Sequence, residues 1–106
     1  MSSAYNKYRA QRTTIDGITF HSKKEAEHYL TLLWEEKAGT ISDIKLQPRF
    51  KLYVGGIHIC TYVADFLFKR GKYQVVQDVK GYKTKEYKIK SKLFQALYQE
   101  YLFEEI

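Results

Sequence analysis

Tyr62-Val63-Ala64-Asp65-Phe66-Leu67-Phe68-Lys69-Arg70-Gly71-Lys72-Tyr73-Gln74-Val75-Val76-Gln77-Asp78-Val79-Lys80 is the stretch that decides the fold. Two runs rich in aromatic and β-branched residues flank Gly71-Lys72, and glycine at the first central position is what a type II′ two-residue turn requires. Such a turn pairs Arg70 with Tyr73. The register then runs back along both strands, because a slip of one residue would send every side chain to the opposite face. Leu67 is expected opposite Val76, Asp65 opposite Asp78 and Val63 opposite Lys80. Side chains alternate along a strand, so Asp78 and Lys80 fall on the face that carries Asp65.

Residues directly opposed across a ladder have Cβ atoms ~4.5–5.5 Å apart, and like charges placed there destabilise the sheet. The plainer reading makes Asp65 a solvated strand-end residue and pairs Asp78 with Lys80 alone. Against it stands the run Tyr62 to Phe68, whose middle is a poor place for a lone carboxylate. A divalent cation compensates both acids, since Mg²⁺ takes carboxylate oxygens and fills its other positions with water or substrate phosphate.

Outward from this hairpin, Thr13–Phe20 alternates around Asp16-Gly17 and reads as a second hairpin. A helix is expected after Ser22, with Ala26, Tyr29, Leu30, Leu33, Trp34 and Lys37 as its stripe and Gly39 as its stop. Ile41–Tyr53 reads as a strand interrupted near Pro48. Gly55-Gly56 turns the chain into a long strand, Ile57–Lys69. After the basic loop Gly81–Glu86, a second helix is expected with Ile89, Leu93, Leu97 and Tyr101 on one stripe, and Leu102–Ile106 reads as a short last strand. The class is α/β in the α+β sense: an N-terminal β-hairpin, then α-β-β-β-α-β, with a mixed central sheet flanked by two helices.

The length of 106 residues suits one domain spanning 1–106, with 1–12 read as a flexible basic arm. At 44% hydrophobic, with 10 tyrosines and 6 phenylalanines, the chain can bury a core, which excludes a disordered tail. Cys60 is the single cysteine, so a disulfide framework and a multi-cysteine zinc site are excluded, and a reducing, cytoplasmic setting is expected. No apolar run approaches the ~18 residues of a membrane span. The net charge of +6 points to a polyanionic partner. It is concentrated: residues 69–92 hold nine basic groups against Asp78 and Glu86, and the rest of the chain is close to neutral.

An Asp late in one strand, then Asp78-Val79-Lys80 on the next, with an acidic residue on a preceding helix, resembles the PD-(D/E)XK nuclease superfamily. Phe20-His21-Ser22-Lys23-Lys24-Glu25-Ala26-Glu27, Gln47-Pro48, Ala64-Asp65-Phe66, Gln77-Asp78-Val79-Lys80-Gly81 and the Lys-rich second helix also resemble a family of small phage proteins assigned to that superfamily. The resemblance covers about 85 residues in short pieces. Two positions depart from the common pattern: Ala64 stands where proline is usual and Asp78 where many members carry Glu.

The resemblance implies a restriction-endonuclease-like core and a DNA endonuclease that leaves 5′-phosphate and 3′-hydroxyl ends. It implies Mg²⁺, with Mn²⁺ able to substitute, held by Asp65, Asp78 and the Val79 carbonyl. Lys80 would orient the attacking water. It favours Glu25 as the third acid. Helical spacing does not choose between Glu25 and Glu27, and Ser22-Lys23-Lys24-Glu25 is also a capping box, in which Glu25 would reach the Ser22 amide.

Lys83, Lys85, Lys88, Lys90, Lys92 and Arg12 are expected phosphate contacts, with one of Lys88, Lys90 and Lys92 a candidate to approach the site from helix two. Tyr5, Tyr8, Tyr82 and Tyr87 interleave with basic residues, in the manner of base-stacking tyrosines or of ordinary packing. Gln47 reads as a strand-bend residue or an outer neighbour of the site. His21, His28 and His58 show no ligand spacing. The expected partners are branched, junction or flap DNA, a second copy of the chain, and replication or recombination proteins of a phage or its bacterial host. The competing reading is a non-catalytic nucleic-acid-binding module that keeps the nuclease fold.

Overall fold

In the computed structural model, residues 12–106 are described. The expected arm therefore lies outside them, apart from Arg12, which is exposed just ahead of the first strand. The elements run β1 (Thr13–Ile15), β2 (Ile18–Phe20), α1 (Lys23–Lys37), β3 (Ser42–Leu46), β4 (Arg49–Val54), β5 (Ile57–Val63), β6 (Phe66–Arg70), β7 (Tyr73–Asp78), α2 (Lys85–Leu97) and β8 (Tyr101–Glu105). The class is mixed α+β. No described helix is long and apolar enough to cross a membrane.

Strands β3-β6-β7-β8 form the central sheet. β3, β6 and β7 pair antiparallel, while β8 returns after α2 to lie parallel to β7. The hairpin of β6 and β7 has the expected register, with Arg70 opposite Tyr73, Leu67 opposite Val76 and Phe66 opposite Gln77. Gly71 has φ +61° and Lys72 does not share that left-handed conformation, as a type II′ turn demands.

The interruption expected near Pro48 separates β3 from β4, and the long strand expected over Ile57–Lys69 is itself broken into β5 and β6. β4 and β5 leave the sheet as their own hairpin, with Arg49 opposite Val63, so Val63 does not face Lys80. Both breaks occur at one level. Gln47 and Pro48 meet Ala64 and Asp65 through two main-chain bonds: the Gln47 N–H donates to the Asp65 carbonyl (2.9 Å) and the Ala64 N–H to the Pro48 carbonyl (3.1 Å). Gln47 takes a left-handed φ of +51° to make the corner. Proline cannot donate to a ladder, and the strand pair bends there.

The pleat sends alternate residues of the sheet to two cores. Phe66, Phe68 and Val75 pack with Ala26 and Leu32 of α1 and with Phe20. Leu67 and Val76 pack with Phe94 of α2 and with Phe50, Leu52 and Tyr62 of the β4–β5 hairpin. One helix thus covers each face of the sheet.

The expected helix stripes hold in part. On α1, Ala26 and Tyr29 pack inward as expected, but Leu30 and Trp34 are exposed, Trp34 by 72%, and Glu25 and Leu32 turn inward in their place. On α2, Leu93 packs inward as expected, but Ile89, 67% exposed, and Leu97 face out, Tyr101 belongs to β8, and Tyr87, Ser91, Phe94 and Tyr98 face the protein. The reason is aromatic packing. The Phe94 ring sits 4.6 Å from Phe50, 5.1 Å from Tyr62 and 5.3 Å from Tyr98, in the tilted and stacked arrangements that ring quadrupoles favour.

Candidate active site

The corner at Ala64-Asp65 ends β5 and starts β6, so Asp65 lies at a bend and not in mid-strand as its sequence suggests. The bend brings the Asp65 carboxylate over the end of β7. Its Oδ2 accepts a hydrogen bond from the Val79 N–H at 2.7 Å, and its own N–H donates to the Gln77 carbonyl at 3.1 Å. Asp78, the last residue of β7, is fully buried at 0% exposure. Asp65 and Asp78 are near enough to act on each other electrostatically.

Burial is the main cause that pushes Asp78 up to about 7, with Asp65 adding to it, while the Tyr62 hydroxyl and Lys80 pull the other way. Asp65 is also raised, again chiefly by burial and further by Glu25, against the opposing pull of the Val79 amide. This is the pattern of two carboxylates confined together: one keeps a proton unless a cation replaces it.

Lys80 continues the strand direction past β7. Its Nζ stands 3.4 Å from Asp78 Oδ1 and 4.8 Å from the centre of the Tyr87 ring. No hydrogen bond reaches Asp78 Oδ1, which makes it the one buried side-chain polar atom left unpartnered among the described residues. Oδ2 accepts from the hydroxyl of Tyr62.

Glu25 is 3% exposed, whereas Glu27 is exposed. The cap of α1 has Ser22 Oγ accepting from the Glu25 N–H at 2.9 Å, and Glu25 Oε1 accepting from the His21 N–H at 3.2 Å. The carboxylate therefore reaches one residue further back than a capping box predicts. Glu25, Gln47 and Asp65 line one pocket of about 140 Å³ with Phe20 and Leu46. Gln47 is thus both the corner residue and a neighbour of the acids.

Asp65, Asp78 and Lys80 are brought together, with Glu25 on the α1 side of Asp65. The lysines of helix two are not drawn in with them. Lys90 pairs with Glu86 at 2.9 Å, Lys83 with Glu105 at 2.7 Å, and Lys85 is exposed at the first turn of α2. Lys83, Lys88 and Lys92 line a groove of about 580 Å³ with Tyr87, Phe103 and Glu105. The residue that α2 does send to the site is Tyr87, under Lys80, with its hydroxyl donating to Glu105 Oε2 at 2.6 Å.

Sequence reasoning missed three positions. Tyr62 looked like any core tyrosine. Lys24 donates to the carbonyls of Lys80 (3.2 Å) and Ile106 (3.3 Å), while the Ile106 N–H donates to the Asp78 carbonyl (2.8 Å), so the end of β7 is held from α1 and β8. His28, read as ordinary helix, hydrogen-bonds Gln77 (2.6 Å), whose amide donates to Glu104 (2.8 Å). Alternation beside Asp78 could have flagged Gln77 as buried, but nothing local signals Tyr62 or Lys24.

Residues 5–104 match the family model DUF1064, described as a protein of unknown function. The chain belongs to the DUF1064 family. No curated protein matches its sequence. Within this DUF1064 chain, no three His, Cys, Asp or Glu side chains among the described residues form a group able to hold a metal ion. Asp78 Oδ1, buried and without a hydrogen bond, and the neighbouring Asp65 carboxylate are two oxygen donors of the kind a hard cation takes while keeping water in its remaining positions.

Proposed function

We propose that this chain is a divalent-cation-dependent nuclease that hydrolyses DNA phosphodiester bonds. The observation that carries the reading is the confinement of Asp65 and Asp78 beneath Lys80 at the end of the sheet, beside a lysine-rich helix. An acid pair held in this way costs stability, and such costs concentrate at functional sites. With the β1–β2 and β4–β5 hairpins set aside, the succession of α1, β3, β6, β7, α2 and β8 supports reading the chain as a restriction-endonuclease-like core.

Asp78 Oδ1 and Asp65 would hold Mg²⁺ or Mn²⁺, with Glu25 acting on the Asp65 side, directly or through water, and the Val79 carbonyl available beside them. The bound cation would polarise the scissile phosphate and lower the pKa of a coordinated water. Lys80, steadied by the Tyr87 ring, places its ammonium where it orients that water and offsets charge on the phosphoryl oxygens. The water oxygen forms a bond to phosphorus and the P–O3′ bond breaks. The departing 3′ oxygen takes up a proton, leaving 5′-phosphate and 3′-hydroxyl ends. Lys83, Lys88 and Lys92 line a groove in which phosphates would lie without base reading. The substrate class in this reading is branched or flapped DNA of phage recombination or replication, held through its phosphates by the groove lysines. Cutting two strands of a duplex needs two sites, hence a homodimer.

Labelled duplex, single-stranded, flap and four-way-junction DNA should be incubated with the protein and Mg²⁺, Mn²⁺ or EDTA, beside Asp78→Asn and Lys80→Ala. Cleavage of a branched substrate with either metal, lost in EDTA and in both variants, is expected. Binding without cleavage under every condition would overturn the proposal and leave a nucleic-acid-binding module.

A further inference from the structure

Tyr62 is the side chain against Asp78 that the proposed chemistry leaves unused. It comes from β5, is 2% exposed, and packs its ring 5.1 Å from Phe94 and 6.4 Å from Phe103. That packing fixes the hydroxyl. A phenol is protonated at neutral pH, and this hydroxyl is directed at the Asp78 carboxylate, to which it donates. The donated proton lies on Asp78 Oδ2 and leaves Oδ1 as the oxygen without a hydrogen bond.

We infer that Tyr62 is a positioning residue that restricts Asp78 to one-oxygen coordination, and so selects small octahedral cations over Ca²⁺ at this site. The inference rests on the cation-binding reading above. Ca²⁺ takes six to eight oxygens and often fills that larger shell with two-handed carboxylates, whereas Mg²⁺ and Mn²⁺ take six and are satisfied by single carboxylate oxygens and water. The Tyr62 hydroxyl proton draws charge from Asp78 Oδ2 and takes one of its lone pairs, which disfavours two-handed coordination by Asp78. The Val79 N–H acts in the same way on Asp65 Oδ2. Both carboxylates are thus each biased toward one-oxygen coordination, one by a side chain that substitution can remove and one by the main chain.

Binding of Mn²⁺ is measured without DNA by electron paramagnetic resonance, and Ca²⁺ by its competition, for the wild type, Tyr62→Phe and Asp78→Asn. The wild type is expected to hold Mn²⁺ at least about tenfold more tightly than Ca²⁺, and Tyr62→Phe to narrow that ratio about tenfold, the lower end of what one hydrogen bond to a charged group contributes. An equal change for both cations, or none, would show a merely structural tyrosine and overturn the inference. Wild-type protein that holds Ca²⁺ as tightly as Mn²⁺ overturns it too, without need of the variant. Should the wild type bind no Mn²⁺ at millimolar concentration, with Asp78→Asn indistinguishable from it, the cation reading itself fails. A changed Asp78→Asn affinity with an unchanged ratio in Tyr62→Phe refutes the selectivity alone.

Discussion

Asp65 accepts a hydrogen bond from the Val79 main-chain N–H at 2.7 Å, so a carboxylate at one strand's start grips the backbone beside the buried carboxylate at the next strand's end. This one contact ties the position of the acid pair to the bend at Ala64-Asp65. It also spends an oxygen of Asp65 that solvent would otherwise hydrate, and the pair is left to be balanced by Lys80, a proton or a cation.

Stability in the absence of divalent cations should fall as pH rises from about 4 to 7. An unfolded aspartate titrates near ~3.9, while burial pushes Asp78 up to about 7. Between those values the native state holds a proton that the unfolded chain has released, so each step up in pH weakens the fold until Asp78 is ionised. Asp65, raised in the same direction, adds to the slope. Asp78→Asn should flatten the curve and raise the melting temperature at pH 8 by several degrees, since ~1 kcal/mol is worth roughly 4–8 °C in a domain of this size. Thermal melts across pH in EDTA decide this; a wild-type curve that rises through the window counts against the buried acid pair.

Adding Mg²⁺ or Mn²⁺ at pH 8 should stabilise the wild type and not Asp78→Asn. A ligand at a hundred times its dissociation constant contributes about 2.7 kcal/mol to the native state. Equal shifts in the two proteins would place the cation elsewhere.

Phe94→Ala should cost about 3–5 kcal/mol, the range for deleting a buried ring. Phe94 is buried among Phe50, Tyr62 and Tyr98 and carries α2, which delivers Tyr87 to Lys80. Ile89→Ala, on the exposed side of the same helix, should stay within ~0.5 kcal/mol. Urea unfolding of both variants tests which face of α2 is inward.

If DNA lies in the groove of Lys83, Lys88 and Lys92, then Lys88→Ala and Lys92→Ala should each weaken binding to all sequences alike and lower the salt slope by roughly one. Lys83→Ala should change the slope less, because its ammonium already pairs with Glu105 at 2.7 Å. Fluorescence anisotropy at several salt concentrations separates the two outcomes.

Much of the framework was legible in one stretch of sequence. Gly71-Lys72 is a local signal, since only the backbone of the turn sets the register, and every pair from Arg70–Tyr73 to Phe66–Gln77 follows from it. Asp78 and Lys80 share a face for the same local reason. The helix faces are legible only in part: Ala26, Tyr29 and Leu93 pack inward, but apolar character alone also selects Leu30, Trp34, Ile89 and Leu97, which are exposed. The positions 87, 91, 94 and 98 carry equally good helical spacing, but their inward turn depends on which rings wait on the β4–β5 hairpin.

The chain by itself determined the β6–β7 hairpin, the clustering of charge in residues 69–92 and the nearness of Asp65 to Asp78, because each depends on neighbours in sequence or on a tight turn. Tertiary structure alone decided that Asp65 sits at a corner and not within a strand, since the corner exists only where Gln47-Pro48 meets Ala64-Asp65 across the sheet. It also decided that Glu25 and not Glu27 joins Asp65 in one pocket, and that Tyr62 covers one oxygen of Asp78. Those contacts join residues far apart in sequence or on different strands, and no local propensity specifies them.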